Sequence, residues 1–471
     1  PLHNYNVPAV NSYTLALSGS DATANPGYDF KGWFVKDESG QYKQVLHDGH
    51  PCVDMHFDPR HEDLGAERHL FKDGDTFYAL FDEQHVNINY RVMTDQDEQV
   101  VSGGQISNAC DSDVKAHSGE GLTGSTATQN RGYTFDGWYV KNELGGFERV
   151  KRGGQEYLGD FIMPQVSDWP RGYFQANDTY FANFTEDEHT LSFTAINILH
   201  NESIGASKVE PTEIKVKSHD GPLTSGSVAT ADEEHGYTFL YWANALMQPV
   251  SYEAEYIPQK TSDIWEDASY FAVFSEKLCD LHYSVVTSGE ERADGGRVDP
   301  DINTNVMAVT GEPDGSTATA YDGYHLVGWF KKNNVGKFVP ITRENEQGKA
   351  IPVTDAYYVP KITDLDKPCF EDGDTYYAYF EEDDVTLYYQ ATNVIPGEDI
   401  GKSAVAPTSE MIKAHTGQPE GSIASWDMEK FDFVGWYDSE TGGELLSTKP
   451  SFVPEKPYGR WKLATYYARF V

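Results

Sequence analysis

The sequence predicts a mainly β fold with minor α, a tandem array of five small domains set end to end as an elongated rod. Three observations carry that prediction. Three short motifs recur five times in one fixed order, and such self-similarity marks a repeat architecture. Residues inside the motifs alternate with the period of a strand. No segment shows the apolar spacing of a long amphipathic helix, so each repeat is expected to hold one short helix at most. Composition agrees, since 30 Tyr, 24 Phe and 42 Gly against 7 Met favour strands and turns.

The first motif runs Gly27-Tyr28-Asp29-Phe30-Lys31-Gly32-Trp33-Phe34 and returns as Gly132-Tyr133-Thr134-Phe135-Asp136-Gly137-Trp138-Tyr139. It recurs as Gly236-Tyr237-Thr238-Phe239 with Trp242, as Gly323-Tyr324-His325-Leu326-Val327-Gly328-Trp329-Phe330, and as Phe431-Asp432-Phe433-Val434-Gly435-Trp436-Tyr437 without its opening Gly-Tyr. It reads as a strand, with the Gly before Trp at a bulge or close backbone contact; Tyr241 occupies that place in the third copy. A Gly-Ser motif precedes each copy, at Gly19, Gly124, Gly226, Gly315 and Gly421. A closing motif follows, over Thr76–Phe81, Thr179–Phe184, Ser269–Phe274, Thr375–Phe380 and Thr465–Phe470. Its aromatic-Ala-Phe face is constant and is expected to point to the core. The variable position before the last Phe (Leu80, Asn183, Val273, Tyr379, Arg469) is expected to face solvent. The central Ala implies close approach by another element.

Most repeats also open with an alternating strand, as in Val86, Ile88, Tyr90 and Val92. Between the Trp strand and the closing strand, an aromatic or apolar residue stands two positions before proline: Phe57, Ile162, Tyr256, Tyr358 and Phe452. Proline there marks the edge of an element. The spacings between successive motif tryptophans are 105, 104, 87 and 107 residues, enough for each repeat to fold as its own domain. The repeats divide at 1–82, 83–185, 186–275, 276–381 and 382–471. Joints between them are short and acidic, as in Glu186-Asp187-Glu188 and Glu381-Glu382-Asp383-Asp384, and carry no flexible Gly/Ser spacer. The first repeat has only 18 residues before its Gly-Ser motif, so its first strand is expected to be missing or remodelled, and the chain to begin inside a longer protein.

Charge narrows the partners. Thirty-six basic against 75 acidic residues leave a formal charge of −39, which disfavours nucleic acid and anionic membranes. No apolar run reaches the length of a membrane helix, and Pro1-Leu2-His3-Asn4 does not read as a signal peptide. Cys52, Cys110, Cys279 and Cys369 lie 58, 169 and 90 residues apart, without the close pairs of a disulfide framework or zinc site. They are expected to be unpaired thiols acting as small buried hydrophobes.

Gly132 to Tyr139, followed by a closing Tyr-x-Ala-x-Phe, resembles the internalin-type B-repeat family, also called the Listeria–Bacteroides repeat. The resemblance extends over all five copies. It implies a β-grasp-like fold, an extracellular setting on a bacterial cell surface or cell wall, and a role as spacer or adhesive stalk. It carries no catalytic residues.

Three groups are candidate sites. The polar cluster His47, His50, Cys52, Asp54, His56, His61, Glu62, Asp63 and His69 has transition-metal chemistry, but its spacing fits no standard ligand pattern and the other repeats lack these histidines, so a solvated His-rich loop is the expected reading and no metal site is assigned. Asp73-Gly74-Asp75 and Asp372-Gly373-Asp374 suit calcium in oxygen type, or ordinary turn formation; no other cofactor is expected. Trp33, Trp138, Trp242, Trp329 and Trp436 recur and read as packing residues, whereas Trp169, Trp265, Trp426 and Trp461 read as exposed contact residues. No nucleophile–base–acid arrangement is visible, so catalysis is not expected. The sequence points to a non-enzymatic surface stalk, or alternatively to an adhesin region gripping a host glycoprotein or carbohydrate through variable loops.

Overall fold

A computed structural model describes residues 3–5, 18–65, 68, 70–199 and 202–471. The chain divides into two compact bodies. One comprises residues 1–191, 213–224 and 258–268; the other comprises residues 192–212, 225–257 and 269–471.

The second repeat, in the first body, shows the plan. Its opening strand His85–Thr94 lies parallel to its closing strand Asp178–Glu186 at the centre of a five-stranded sheet. Cys110–Lys115 flanks the opening strand. The Trp strand Tyr133–Lys141 flanks the closing strand and is followed by the edge strand Phe147–Arg149. Gly104–Ile106, Ser125–Gln129 and Phe161–Ile162 form a second, three-stranded sheet. In the second body, the fourth and fifth repeats reproduce both sheets strand for strand. The third repeat contributes its closing, Trp and edge strands and a small sheet of Lys208–Glu210, Ser227–Thr230 and Glu255–Tyr256. In the first repeat His3–Tyr5 runs antiparallel to the closing strand Phe77–Glu83, where the second, fourth and fifth repeats place a parallel opening strand. The opening segment is thus remodelled; residues 6–17 lie outside the described residues.

The motif tryptophans build the cores. All five are fully buried, and each indole N–H donates to a backbone carbonyl at 3.0–3.1 Å, those of Asp54, Asp160, Ala254, Asp355 and Pro450. The residue two before proline stacks on the indole in four repeats: Phe57 at 4.8 Å, Tyr256 at 5.9 Å, Tyr358 at 4.8 Å and Phe452 at 5.2 Å. The central Ala of the closing strand stands directly opposite the Trp in every repeat, as Ala79, Ala182, Ala272, Ala378 and Ala468. Its small size makes room for the indole, and this is the close approach that the alanine implies. The Gly before Trp sits at a register shift with φ between 120° and 151° at Gly32, Gly137, Gly328 and Gly435. Tyr241 keeps the shift without a positive φ.

Two expectations need correction. The variable position of the closing strand is not simply solvent-facing: Asn183, Val273 and Arg469 are buried. Loops cover the second face of the sheet there. Asn183 accepts the N–H of Gln96 at 2.9 Å, and Arg469 donates to the carbonyls of Ser439 and Gly442 while lying 3.9 Å from the Tyr437 ring centroid. The minor helix, in turn, is not α. It consists of single 3-10 turns at His61–Leu64, Val166–Asp168, Glu233–His235 and Ile362–Leu365, with no α-helix among the described residues.

Candidate functional site: the joints between repeats

Closing and opening strands of successive repeats are separated by one residue: Gln84, Asp187, Lys277 or Asp383. Around that residue the same backbone relay forms four times. Its N–H donates to the carbonyl of the motif glycine in the preceding repeat, Gly27, Gly132, Gly236 or Gly323, at 2.8–3.0 Å. Its own carbonyl accepts the N–H of Ala116, Ser218, Ala308 or Ala414 in the following repeat, at 2.9–3.0 Å. The carbonyl of that residue accepts the N–H of a buried aromatic, Phe174, Trp265, Phe370 or Trp461, at 2.7–2.8 Å. Three linked bonds thus run from one repeat through the joint into the loop before the next closing strand.

A glutamate braces each relay. Glu83 accepts the N–H groups of His117 at 2.9 Å and Ser118 at 2.7 Å. Glu186 accepts His219 at 2.7 Å; Glu276 accepts Val309 and Thr310 at 2.8 and 2.9 Å; Glu382 accepts His415 and Thr416 at 2.9 and 3.0 Å. Hydrogen bonds to an ionised acceptor are the stronger kind. In three joints an imidazole also stacks on the motif tyrosine: His117 on Tyr28 at 4.5 Å, His219 on Tyr133 at 4.8 Å and His415 on Tyr324 at 4.6 Å. His117 and His415 donate Nε2–H to the carbonyls of Pro26 and Asp322; since a carbonyl only accepts, the proton must sit on that nitrogen. The third joint replaces the ring with Val309, and Ala308 and Cys369 pack against Gly236. Charged pairs reinforce two joints, Arg131–Glu266 at 2.7 Å and Arg460–Asp322 at 2.9 Å.

The first joint has a predictable acid limit. Burial works against the Glu83 charge, but the Ser118 and His117 N–H groups and the Ser118 hydroxyl outweigh it and hold the carboxyl below the ordinary glutamate value. A carboxyl lowered on folding contributes its stabilisation above the unfolded-state pKa and loses it as pH falls through the folded one. The His117 and Ser118 amides are therefore expected to stay protected from hydrogen exchange until pH falls below the ordinary glutamate range. In Glu83→Gln the protection should already be reduced at neutral pH and flat with acid; identical profiles would remove the glutamate from the joint.

The sequence-derived candidates fall elsewhere. The histidine-rich cluster does not converge, and no group of three potential metal ligands occurs among the described residues. His56 pairs with Asp21 and Asp58, His61 packs on Phe71, His50, Asp54 and Glu62 are not buried, and His69 lies outside the described residues. His47 pairs with the buried Asp63 at 3.0 Å, as Arg152 does with Asp168 and Arg343 with Asp364. These aspartates also accept the N–H three residues before them and cap the 3-10 turns, so the pair braces a turn. The Asp-Gly-Asp segments are turns as well. Asp75 is held by Arg68 and the Lys72 N–H, and Asp374 by Lys367 and the Glu371 N–H. The cysteines are unpaired, with Cys279 and Cys369 buried but Cys110 exposed.

The non-recurring tryptophans are not exposed contact residues. Trp169, Trp265 and Trp461 are buried, and Trp426 stacks on Phe433 at 5.3 Å. Trp265 and Trp461 do recur, as the aromatic that ends each relay. Phe174 and Phe370 fill the same place, so a search for tryptophan alone hides the pattern. The bracing glutamates lie within a general acidity, and their fixed place, one residue before each joint residue, is the signal the sequence carries for them.

Residues 100–152 match the family model described as the Listeria-Bacteroides repeat domain. The match falls within the second repeat. The Listeria–Bacteroides repeat so matched takes in the Gly-Ser strand, the Trp strand and the first half of the following hairpin of the second repeat. Among solved structures, the Bacillus anthracis TIE protein aligns over 81% of this chain and 75% of its own at 10% identity, with a TM-score of 0.28. The open conformation of the pilus adhesin SpaC from Lactobacillus rhamnosus GG aligns over 77% of this chain and 56% of its own, at 8% identity and a TM-score of 0.17. No curated protein matches.

Proposed function

We propose that the chain is a non-enzymatic, extracellular tandem-repeat segment of a bacterial surface protein, working as a stalk or spacer of an adhesin. The observation that carries this reading is the joint. One relay, one bracing glutamate and one connecting residue recur four times, an investment in holding neighbouring repeats in one orientation. The Listeria–Bacteroides repeat supports the surface setting, and the charge of −39 suits a soluble exterior. The second, fourth and fifth repeats read as helix-poor variants of the β-grasp arrangement, their parallel opening and closing strands paired inside the sheet and antiparallel strands outside. The alternative, a region that grips a host glycoprotein or carbohydrate through variable loops, is less supported by the tryptophans, because Trp169, Trp265 and Trp461 are buried and Trp426 is half-buried against Phe433.

The test is a distance distribution across one joint. Spin labels on unnatural amino acids at the exposed Val335 and Met428 report on the fourth and fifth repeats of the whole chain. A single narrow distance is expected, broadening in Glu382→Ala. A broad distribution in the parent chain would refute the spacer.

A further inference from the structure

The first, second and fourth repeats fill the space beside their edge strand with a two-stranded hairpin of their own: Leu46–His47 with His50–Pro51, Lys151–Arg152 with Gln155–Glu156, and Thr342–Glu344 with Ala350–Pro352. In the second and fourth repeats a hairpin arginine turns inward. Arg343 donates to the carbonyl of Val359 and the carboxylate of Asp364, both at 2.6 Å, with its guanidinium 5.2 Å from the Tyr358 ring centroid. Arg152 donates to the carbonyl of Met163 and to Asp168. The fifth repeat has no such hairpin. It passes from the edge strand Leu445–Ser447 through Thr448-Lys449-Pro450 straight to Ser451–Phe452. A groove of about 600 Å³ opens there, lined by Leu446, Phe452, Val453, Tyr466, Glu444 and Glu455 among others, with no lysine or arginine in its wall.

Phe452 holds the place of Tyr358, one face stacked on Trp436, and Val453 holds that of Val359. The arginine counterpart is missing, and Tyr458 stands where Asp364 would receive it, while the aromatic and the backbone position remain and Glu444 and Glu455 place carboxylates in the groove wall. The third repeat also lacks the hairpin, but packs Tyr252 against Tyr241 at its edge. In the fifth repeat Leu445 and Leu446 stand exposed on the outermost strand of the sheet, and an uncovered apolar edge strand is a template for strand addition.

We propose that this groove docks an extended, arginine-bearing peptide segment of a partner protein, which pairs with the edge strand at Leu445–Ser447 and lays its guanidinium over Phe452 towards Glu444 and Glu455. The site lies within one repeat and does not depend on the joints, so it adds a specific contact to the spacer reading. Arginine suits it better than lysine, because the planar guanidinium both stacks on a ring and forks to a carboxylate.

The probe is the capped pentapeptide Val-Thr-Arg-Thr-Val, titrated into the full chain with leucine methyl resonances as the readout. Leu445 and Leu446 are expected to shift saturably, and the peptide with Gln in place of Arg should bind about 10-fold more weakly, the worth of one charge-assisted hydrogen bond. E444Q/E455Q should cost a similar factor while leaving the melting profile unchanged, since both side chains lie at the groove wall and outside the core. Equal binding of the two peptides, indifference to E444Q/E455Q, or no shift at millimolar peptide would each overturn the proposal. So would a neutral oligosaccharide moving the same resonances when the peptide does not.

Discussion

Replacing Trp329 by alanine is expected to unfold the fourth repeat while leaving the second intact. Trp329 is fully buried, stacks on Tyr358 at 4.8 Å and meets Tyr283 edge-on at 6.0 Å. Its indole N–H is the partner of the Asp355 carbonyl, and its backbone N–H of the Val353 carbonyl. Trp-to-Ala truncations in cores cost about 3–5 kcal/mol, and a small domain has only about 5–15 kcal/mol in hand. The residue opposite cannot relieve the loss, because Ala378 is small for the very reason that the indole is large. Hydrogen exchange resolved by segment is the measurement. Protection should vanish over Tyr324–Lys332 and Thr375–Glu382 and persist over Tyr133–Lys141. Uniform loss along the chain would mean that the repeats are not separate folding units; no loss at all would remove Trp329 from the core.

That outcome follows from what was legible in the sequence. A residue that recurs five times among alternating aromatics must serve packing, and the five motif tryptophans are buried with the closing-strand alanines opposite them; the residue two before proline was marked only by its proline, with no sign that it meets the indole. The joints stayed hidden for one physical reason: interactions made by the backbone leave weak marks on residue type. The joint relay uses N–H and carbonyl groups of Gln84, Asp187, Lys277 and Asp383, side chains of three different types, neutral, acidic and basic. The aromatic that completes the relay is either Phe or Trp, so it looked non-recurring, and two buried tryptophans were read as surface contacts. The bracing glutamates were masked by the 75 acidic residues around them. The variable closing-strand position failed for a different reason. Asn183 and Arg469 satisfy backbone groups of covering loops, and a polar residue on a strand looks solvent-facing until such a loop is known. The histidine cluster misled through density alone, since only the fold shows that His47 does the work of Arg152 and Arg343.

The joints allow a sharper test, because the motif glycine is needed there for two separable reasons. Gly323 has φ +85°, and a Cβ added to it would lie 2.7 Å from His415 Nε2 and 3.3 Å from the Ala414 Cβ. Gly323→Ala therefore meets left-handed backbone strain of about 1–2 kcal/mol and expels the imidazole. The ring then loses its stack on Tyr324 and its bond to the Asp322 carbonyl, about 1 kcal/mol more for the hydrogen bond. Exchange at the Asp383 and Ala414 amides, which form the relay, should rise about 30- to 150-fold for a loss of that order, with the Trp329 and Trp436 cores unaffected. Adding His415→Ala removes a ring whose contacts Gly323→Ala has already broken and leaves the strain in place, so the double variant should exchange about as fast as the single one. The third joint supplies the control. At Gly236 an added Cβ meets the Cβ of Ala308 at 2.8 Å, and Ala308 is fully buried in its own repeat. Gly236→Ala has no side chain to push aside, so its loss should exceed that of Gly323→Ala. If both variants keep the parent's amide protection, the glycines are not what holds successive repeats together, and the ordered joint must rest on the glutamate brace alone.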